Sequence, residues 1–259
     1  MIVNFLKTVG RNFLQICSNI GKVFIFLTYT IFWTFHPPLY LNQLYKQIFF
    51  IGFLSLPVVG LTALFSGMVL AIQSYTGFAR FGAEEAVATV VVLSVTRELG
   101  PVLAGLMVAG RVGASIAAEI GTMKVTEQID ALYIMSTRPI QYLVVPRVIA
   151  GAICLPFLVL IGNIIGIMGG WIIGITQLEF NSNIYIDRTI EYLQIIDVVQ
   201  GLVKATVFGF VITIMGCYQG FNCGQGAQGV GKATTNAVVS ASILILIFNY
   251  FITSIFFGN

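Results

Sequence analysis

Five long apolar stretches alternate with short polar ones along the chain. Each is about 20 residues or longer, the length that an α-helix needs to cross the hydrocarbon core of a bilayer. The predicted fold class is therefore all-α, a polytopic membrane protein with an N-terminal interfacial helix and a short polar helix after the second span. The five predicted spans are residues 48–72, 86–110, 148–178, 198–218 and 237–257.

The composition points the same way. Apolar residues make up 58% of the 259 residues and charged residues only 9%, whereas a soluble domain carries about 25% charged residues. The mean hydropathy is +0.95. Since no polar interval is long enough for a separate soluble domain, the protein is expected to act in or at the membrane.

The first 46 residues are predicted to form an N-terminal segment of their own, followed by a membrane domain at 47–259. Residues 2–22 have the spacing of an amphipathic helix with cations on its polar face, which suits a helix in the membrane interface. The stretch 23–35 is short for a crossing and ends at His36 without the cleavage site of a signal peptide. We therefore expect a re-entrant or interfacial elbow there rather than a full span. The apolar face of the helix comprises Ile2, Phe5, Leu6, Val9, Phe13, Ile16 and Ile20.

The charges predict an orientation, because cations concentrate in cytoplasmic loops. With the N-terminus inside, nine of the thirteen cations lie at the inner face: Lys7, Arg11, Lys22, Lys46, Arg111, Lys124, Arg138, Arg147 and Lys232. The outer loops then hold most of the acids: Glu84, Glu85, Glu179, Asp187, Glu191 and Asp197.

Two adjacent charges interrupt the second predicted span. Arg97 and Glu98 lie on the order of 16 Å into the helix at ~1.5 Å per residue, where ionisable groups are costly and are typical of functional sites. Pro101 removes a backbone hydrogen bond and favours a kink beside them. The charges could line a lipid or ion path, or they could form a structural ion pair with Lys204 in the fourth span. Lys204 by itself is expected to extend its ammonium group to the outer interface.

A short polar helix is predicted between the second and third spans, over residues 119–135. Thr126 is expected to cap its start, with acidic residues near the positive helix end. Such a helix either lies flat on the membrane or docks into a partner. Its candidate contact residues are Lys124, Glu127, Gln128 and Asp130.

Four glycines recur at every fourth position along the third span. Small residues at this spacing allow helix backbones to approach closely in a membrane. They could pack within one subunit or between two subunits. The glycines are Gly162, Gly166, Gly170 and Gly174.

The chain offers little support for catalysis or cofactor binding. Residues 226–232 match the spacing of a phosphate-binding loop, but Ala233 replaces the Ser or Thr that holds magnesium and no strand precedes the loop. The one histidine and the four cysteines lack metal-ligand spacing. No cofactor and no metal are expected, and the chain is not expected to be an enzyme.

Three segments strongly resemble the MlaE-type permeases, the membrane subunits of lipid-transporting ABC systems in Gram-negative bacteria and related proteins of cyanobacteria and plastids. They are TRELGPVLAGLMVAGRVGASIAAEIGTMKVTEQIDAL from residue 96, RPIQYLVVPRVIAG from residue 138 and GVGKATTNAVVSASILIL from residue 229. The likeness extends over roughly residues 53–259.

The resemblance implies a homodimeric permease with ABC-type ATPase subunits on the inner face and an MCE-domain substrate-binding protein on the outer face. Residues 124–135 then look like the coupling helix that contacts the ATPase. Arg97, Glu98 and Lys204 look like candidates for the lipid path. The implied location is a bacterial inner membrane or the inner envelope of a plastid.

Two functions from different classes follow. The first is the membrane permease of an ABC transporter that moves phospholipid or glycolipid between a membrane and an MCE-type carrier. The alternative is an ion-coupled secondary carrier or channel in which the mid-membrane charges act as relay groups. Such carriers often contain paired repeats, and five spans do not divide into equal halves.

Overall fold

The computed structural model describes residues 2–83 and 86–258. Glu84 and Glu85 lie outside the described residues. The side chains of most of the predicted apolar face of the first helix also lie outside them, namely Ile2, Phe5, Leu6, Val9, Phe13 and Ile16.

The described residues form α-helices joined by short turns and contain no strand, so the predicted fold class is confirmed. The helices in chain order are α1 Ile2–Thr34, α2 Leu41–Ile51, α3 Leu56–Phe78, α4 Ala86–Ser94, α5 Gly100–Val108, α6 Ala114–Val125, α7 Gln128–Ile134, α8 Val145–Thr176, α9 Ser182–Tyr192, α10 Ile195–Phe221 and α11 Gly226–Phe257.

Five helical stretches of the described chain are long and apolar enough to cross a membrane, as predicted. They are Leu41–Phe81, Ala86–Val125, Ile140–Thr176, Ile195–Phe221 and Gly226–Phe256. All five extend beyond the predicted limits at one end or both, because polar residues lengthen a helix without adding to its apolar signal. The residues that resemble a phosphate-binding loop are the first two turns of α11.

The second span does not end near residue 110 as the sequence analysis predicted. It continues to Val125 through a π-helical segment, Ala109–Gly113. Arg111 lies in this segment and donates to Ser55 Oγ at 2.6 Å while its guanidinium stacks on the ring of Phe50. Because the charge is satisfied inside the protein, it does not end the helix.

The N-terminal helix also differs from the prediction. α1 is one continuous helix of 33 residues with no break near residue 22, and it ends just before His36 and the two prolines. α1 is not among the five stretches that meet the length and hydropathy criteria for a span. Its position in the membrane interface stays a prediction.

The turn between α1 and α2 contacts the segment that follows α7. The guanidinium of Arg138 stacks 3.9 Å from the ring centre of Trp33. The Gln141 side-chain amide donates to the carbonyl oxygens of His36 at 2.7 Å and Pro38 at 3.2 Å. These contacts join the start of the third span to the end of α1, at the end of the bundle that we call the α7 end.

The third and fourth spans form the centre of the bundle. Large side chains that are almost completely buried fill the space between them and their neighbours: Ile116, Leu155, Phe208, Ile212 and Ile245. Close backbone contacts between glycines tighten this core. A Cβ atom on Gly67 would overlap the carbonyl of Gly166, and one on Gly209 would overlap the carbonyl of Gly151.

The four regularly spaced glycines of α8 all face other helices of the same chain. Gly162 and Gly166 lie against α3, where Cβ atoms on them would contact Val59 and the carbonyl of Ala63. Gly170 and Gly174 leave room for the ring and hydroxyl of Tyr185, which holds α9 against α8. The end of the bundle that carries α9 is the α9 end.

Candidate functional site

The backbone around Arg97 and Glu98 is a π-helical segment, Val95–Leu99. Gly100 N–H donates to the carbonyl of Val95, a bond across five residues instead of four. The cause lies two residues past the segment, where Pro101 has no N–H and its ring would clash with the carbonyl of Arg97 in a regular α-helix. Of the two other π-helical segments in the described chain, Ile140–Val144 likewise ends two residues before a proline, whereas Ala109–Gly113 does not. Single π turns of this kind are frequent at functional sites.

Glu98 accepts hydrogen bonds from two other spans. Lys204 Nζ in α10 lies 2.7 Å from its Oε1. Two residues of α11 complete the set, with Asn249 Nδ2 at 2.8 Å from Oε2 and Thr253 Oγ1 at 3.0 Å from Oε1. The carboxylate therefore joins the second, fourth and fifth spans, while 39% of its side chain stays accessible.

Lys204 does not extend to the outer interface, so that prediction was wrong. Its side chain is 0% accessible, and its ammonium group also donates to the carbonyl oxygen of Arg97 at 2.9 Å. Two strong acceptors within the bundle replace water for the ammonium group. The sequence could not show them, because both acceptors lie on another helix.

Arg97 pairs with Asp197, in the first turn of α10. The distance from Arg97 Nε to Asp197 Oδ1 is 2.7 Å, and the side chain of Asp197 is 0% accessible against 33% for Arg97. The other oxygen of Asp197 accepts from the backbone N–H of Gln194 at 3.1 Å, which completes a capping box at the start of α10. The Asp197 carboxylate thus both orients Arg97 and caps the first turn of α10.

Sequence analysis missed Asp197, Asn249 and Thr253 as members of this site. Asp197 was assigned to an outer loop because it stands at the edge of the apolar stretch. Its spacing of seven residues from Lys204, about two helical turns, was the available signal. For the two neutral residues in α11 the sequence carried no comparable signal.

Together the two ion pairs place a partly accessible cation and a partly accessible anion side by side, each with a fully buried counter-charge behind it. The next residue, Leu99, lines a groove of about 370 Å³ against α3 together with Phe65, Ser66, Val69, Leu70, Gln73 and Leu103. The groove is mainly apolar, and Leu99 connects it along the chain to the two charges, neither of which lines it.

The candidate contact residues after the second span are divided between two helices. Lys124 belongs to the last turn of α6, and its Nζ donates to the carbonyl of Phe221 at 2.6 Å, which ties α6 to the end of α10. Gln128 and Asp130 lie on α7 and are exposed. Three apolar side chains of this region are also well exposed: Tyr133, Ile134 and Met135.

Thr126 does not cap α7, contrary to prediction. Its hydroxyl donates to the carbonyl of Thr122 at 2.8 Å in the preceding turn. The N-cap is Glu127, whose φ of 58° lies in the left-handed region and whose side chain makes no capping bond. A left-handed residue between α6 and α7 turns the chain sharply and leaves the carboxylate of Glu127 exposed.

A further buried charge lies at the α7 end. Arg147 is almost fully buried and binds Glu119 Oε1 through Nη2 at 2.9 Å. Its Nη1 donates to the carbonyl of Leu143, in the π-helical segment at the start of the third span. This pair joins the second and third spans next to α7, and sequence analysis did not connect the two residues.

Comparison with known proteins gives consistent matches. The family described as Permease MlaE matches residues 44–255. A probable ABC transporter permease protein of Rickettsia bellii is 61% identical over 99% of both chains. The intermembrane phospholipid transport system permease protein MlaE of Haemophilus influenzae is 33% identical over 100% of this chain and 99% of its own. The Arabidopsis thaliana protein TRIGALACTOSYLDIACYLGLYCEROL 1, chloroplastic, is 39% identical over 78% of this chain and 58% of its own. With five membrane-spanning helices and a family match over most of its length, the chain belongs to the MlaE permease family.

Proposed function

We propose that the protein is the membrane permease of an ABC transporter that moves phospholipid or glycolipid between a membrane and an MCE-type carrier. The observation that carries this proposal is the partly accessible pair Arg97 and Glu98, each with a buried counter-charge and followed in the chain by Leu99, which lines an apolar groove. A polar lipid needs apolar walls for its tails and a few placed polar groups for its head. The name of the Haemophilus relative, which specifies phospholipid, supports the same substrate class.

Arg97 and Glu98 suit a head group that carries both a phosphate and a cationic or hydroxyl group. Burying an unpaired charge is strongly unfavourable. Because Asp197 and Lys204 compensate the two charges from behind, the site stays neutral whether or not a lipid is present. A head group can then interact with the accessible atoms of Arg97 and Glu98 without leaving an isolated charge in the bundle.

A separate ATPase supplies the energy in this proposal and binds at α7. The exposed carboxylates of Glu127 and Asp130, with Gln128 between them and the apolar Ile134 and Met135 beyond, form a compact polar and apolar contact surface. Lys124 fixes the end of α6 to α10, so a force on α7 reaches the fourth span directly. The Rickettsia bellii relative is named as a probable ABC transporter permease protein, and the permease of such a transporter depends on an ATPase partner.

The assembly that follows from the proposal is a homodimer with an MCE-domain protein at the α9 end. The N-terminus and α7 then face the inside of a bacterial inner membrane or plastid inner envelope, in line with the distribution of cations. Residues 1–46 form the interfacial segment and residues 47–259 the permease domain.

The first experiment tests the ATPase contact by co-purification of tagged protein from its native membrane. Glu127→Lys reverses one charge and is expected to reduce recovery of a nucleotide-hydrolysing partner at least tenfold. Glu127→Gly is the matched control for the backbone, because glycine adopts the left-handed conformation without strain. Equal recovery of the partner with wild type, Glu127→Lys and Asp130→Lys would contradict an ATPase contact at α7.

The second experiment tests the substrate class by mass spectrometry of lipids that stay bound to the purified protein. Wild type is expected to retain phospholipid or glycolipid, and Arg97→Ala to lose most of it while it still inserts and assembles. Recovery of detergent alone from the wild-type protein would contradict the lipid proposal. An ion flux across vesicles that contain only this chain would favour the ion-coupled alternative.

A further inference from the structure

The carbonyl oxygen of Arg97 occupies an unusual position in the second span. In an α-helix this oxygen would accept from the N–H of residue 101, and Pro101 has none. Lys204 Nζ, from another helix, donates to it at 2.9 Å. A side chain of the fourth span therefore supplies the donor that proline removes from the second.

α10 is shaped to make this contact. Gly201 lies nearly one turn before Lys204, and a Cβ atom there would stand 2.7 Å from the carbonyl oxygen of Thr96. The absence of a side chain lets the backbone of α10 approach the π-helical segment Val95–Leu99 closely. Lys204 then reaches Arg97 from a position where its whole side chain is buried.

We propose that Lys204 is a positioning residue, whose ammonium group replaces at the carbonyl of Arg97 the donor that Pro101 lacks and so holds the segment Val95–Leu99, with the side chains of Arg97 and Glu98, in place. The inference rests on the proposed lipid function and assigns Lys204 a different role from its two neighbours. Lys204 acts on the backbone and has no accessible atoms for lipid contact.

The contact with Glu98 alone does not account for Lys204. If the ammonium group were absent, Glu98 would retain Asn249 and Thr253 as donors, whereas the Arg97 carbonyl would lose its side-chain donor. A buried carbonyl without a donor is unfavourable, so the segment would shift to give this oxygen a partner. The side chains of Arg97 and Glu98 would shift with it, because both belong to the segment.

The test measures binding of a fluorescent-tailed phosphatidylethanolamine to the full-length protein in detergent micelles, with the thermal midpoint of each variant as the folding control. Lys204→Met is expected to bind the probe about tenfold more weakly, equivalent to about 1.4 kcal/mol. In a Pro101→Ala protein, where the N–H of residue 101 is available to the Arg97 carbonyl, Lys204→Met is expected to cost a much smaller factor in affinity. Adding Glu98→Gln removes the uncompensated charge and is expected to recover the thermal midpoint without recovering affinity.

The effect of Lys204→Met in a Glu98→Gln protein, measured with and without Pro101→Ala, decides the matter even where Lys204→Met alone fails to fold. A smaller loss of affinity in the Pro101→Ala protein supports the positioning role. Full recovery of affinity with Glu98→Gln, or an equal loss with and without Pro101→Ala, would overturn it, because Lys204 would then serve only as a counter-ion. Folded wild-type protein that does not bind the probe would instead contradict the proposed lipid function, whatever the variants do.

Discussion

Gly209 in the fourth span lies directly against the carbonyl oxygen of Gly151 in the third. The two backbones meet at the centre of the bundle, where Leu155 and Phe208 are fully buried beside them. In a membrane such contacts depend on small residues, because apolar side chains gain little by leaving lipid.

Gly209→Ala is therefore expected to separate the two helices and to lower the free energy of unfolding by roughly 1–3 kcal/mol, the usual cost of overpacking. The measurement is the thermal midpoint in detergent or the midpoint of unfolding in sodium dodecyl sulfate. Gly77→Ala in α3 is the control, since its added Cβ meets open space, and it should be neutral or slightly stabilising. Equal destabilisation by both variants would show that the contact between Gly209 and Gly151 does not determine the stability of the bundle.

Asp197 has two separable roles, and two substitutions distinguish them. Asp197→Ala removes both the cap of α10 and the counter-charge of Arg97, and we expect a loss of about 1–3 kcal/mol in unfolding free energy because part of Arg97 remains open to water. Asp197→Asn can still accept from the N–H of Gln194, so it should keep roughly 1 kcal/mol of this, the usual worth of a cap. Circular dichroism melts would compare the two. An Asp197→Asn protein no more stable than Asp197→Ala would contradict the capping role.

The contact between Arg138 and Trp33 can be followed by fluorescence. The chain contains two tryptophans, so Trp171→Phe leaves Trp33 as the only emitter. In this background Arg138→Gln should shift and intensify the Trp33 emission, because the stacked guanidinium 3.9 Å from the ring is lost. Lys46→Gln, a nearby change of the same charge, is the control. An unchanged spectrum for Arg138→Gln would mean that Arg138 does not stack on Trp33 in solution.

Tyr185 provides a pH-dependent prediction in α9, outside the spans. Burial raises the pKa of its hydroxyl from 10.0 to about 12. The folded state thus holds its proton more tightly than the unfolded state, and the associated stability is complete below pH 10 and lost as the pH rises from 10 to 12. Tyr185→Phe should therefore lose less stability than wild type in this range.

At neutral pH the same variant should be no less stable than wild type, since the buried hydroxyl has no hydrogen-bond partner among the residues that the structure describes. The measurement is a series of thermal midpoints between pH 8 and pH 12, with Tyr133→Phe on the exposed side of α7 as control. Parallel curves for wild type and Tyr185→Phe would contradict the assignment.

The number of spans and the all-α class could be predicted from the sequence because the bilayer imposes one length scale on every crossing helix. Arg97 and Glu98 could be found for a related reason, since charges stand out within an apolar stretch. Lys204 could be named as a possible ion-pair partner because it too interrupts an apolar stretch. Its pairing with Glu98 in particular, and the pairing of Asp197 with Arg97, could not be predicted, because they depend on which helices are neighbours. Apolar periodicity carries no information about this in a membrane, where lipid and protein are equally apolar.

Local backbone geometry was the other source of error. Thr126 has the residue type of a helix cap, yet its hydroxyl bonds within the preceding turn, and the left-handed Glu127 begins α7 instead. The continuation of the second span past Arg111 had a similar origin. The Ser55 hydroxyl and the ring of Phe50, both from the first span, accommodate that charge, and neither contact can be inferred from hydropathy.

The contacts of the turn between α1 and α2 with residues 138–141 couple the position of α1 to that of the chain after α7. Arg138 stacks on Trp33, and Gln141 donates to the carbonyls of His36 and Pro38. A rotation of α7 would therefore displace the 33-residue N-terminal helix as well. The displacement would be largest at the N-terminal end of α1, which is farthest from the contact. The position of α1 thus depends on that of α7 through these contacts.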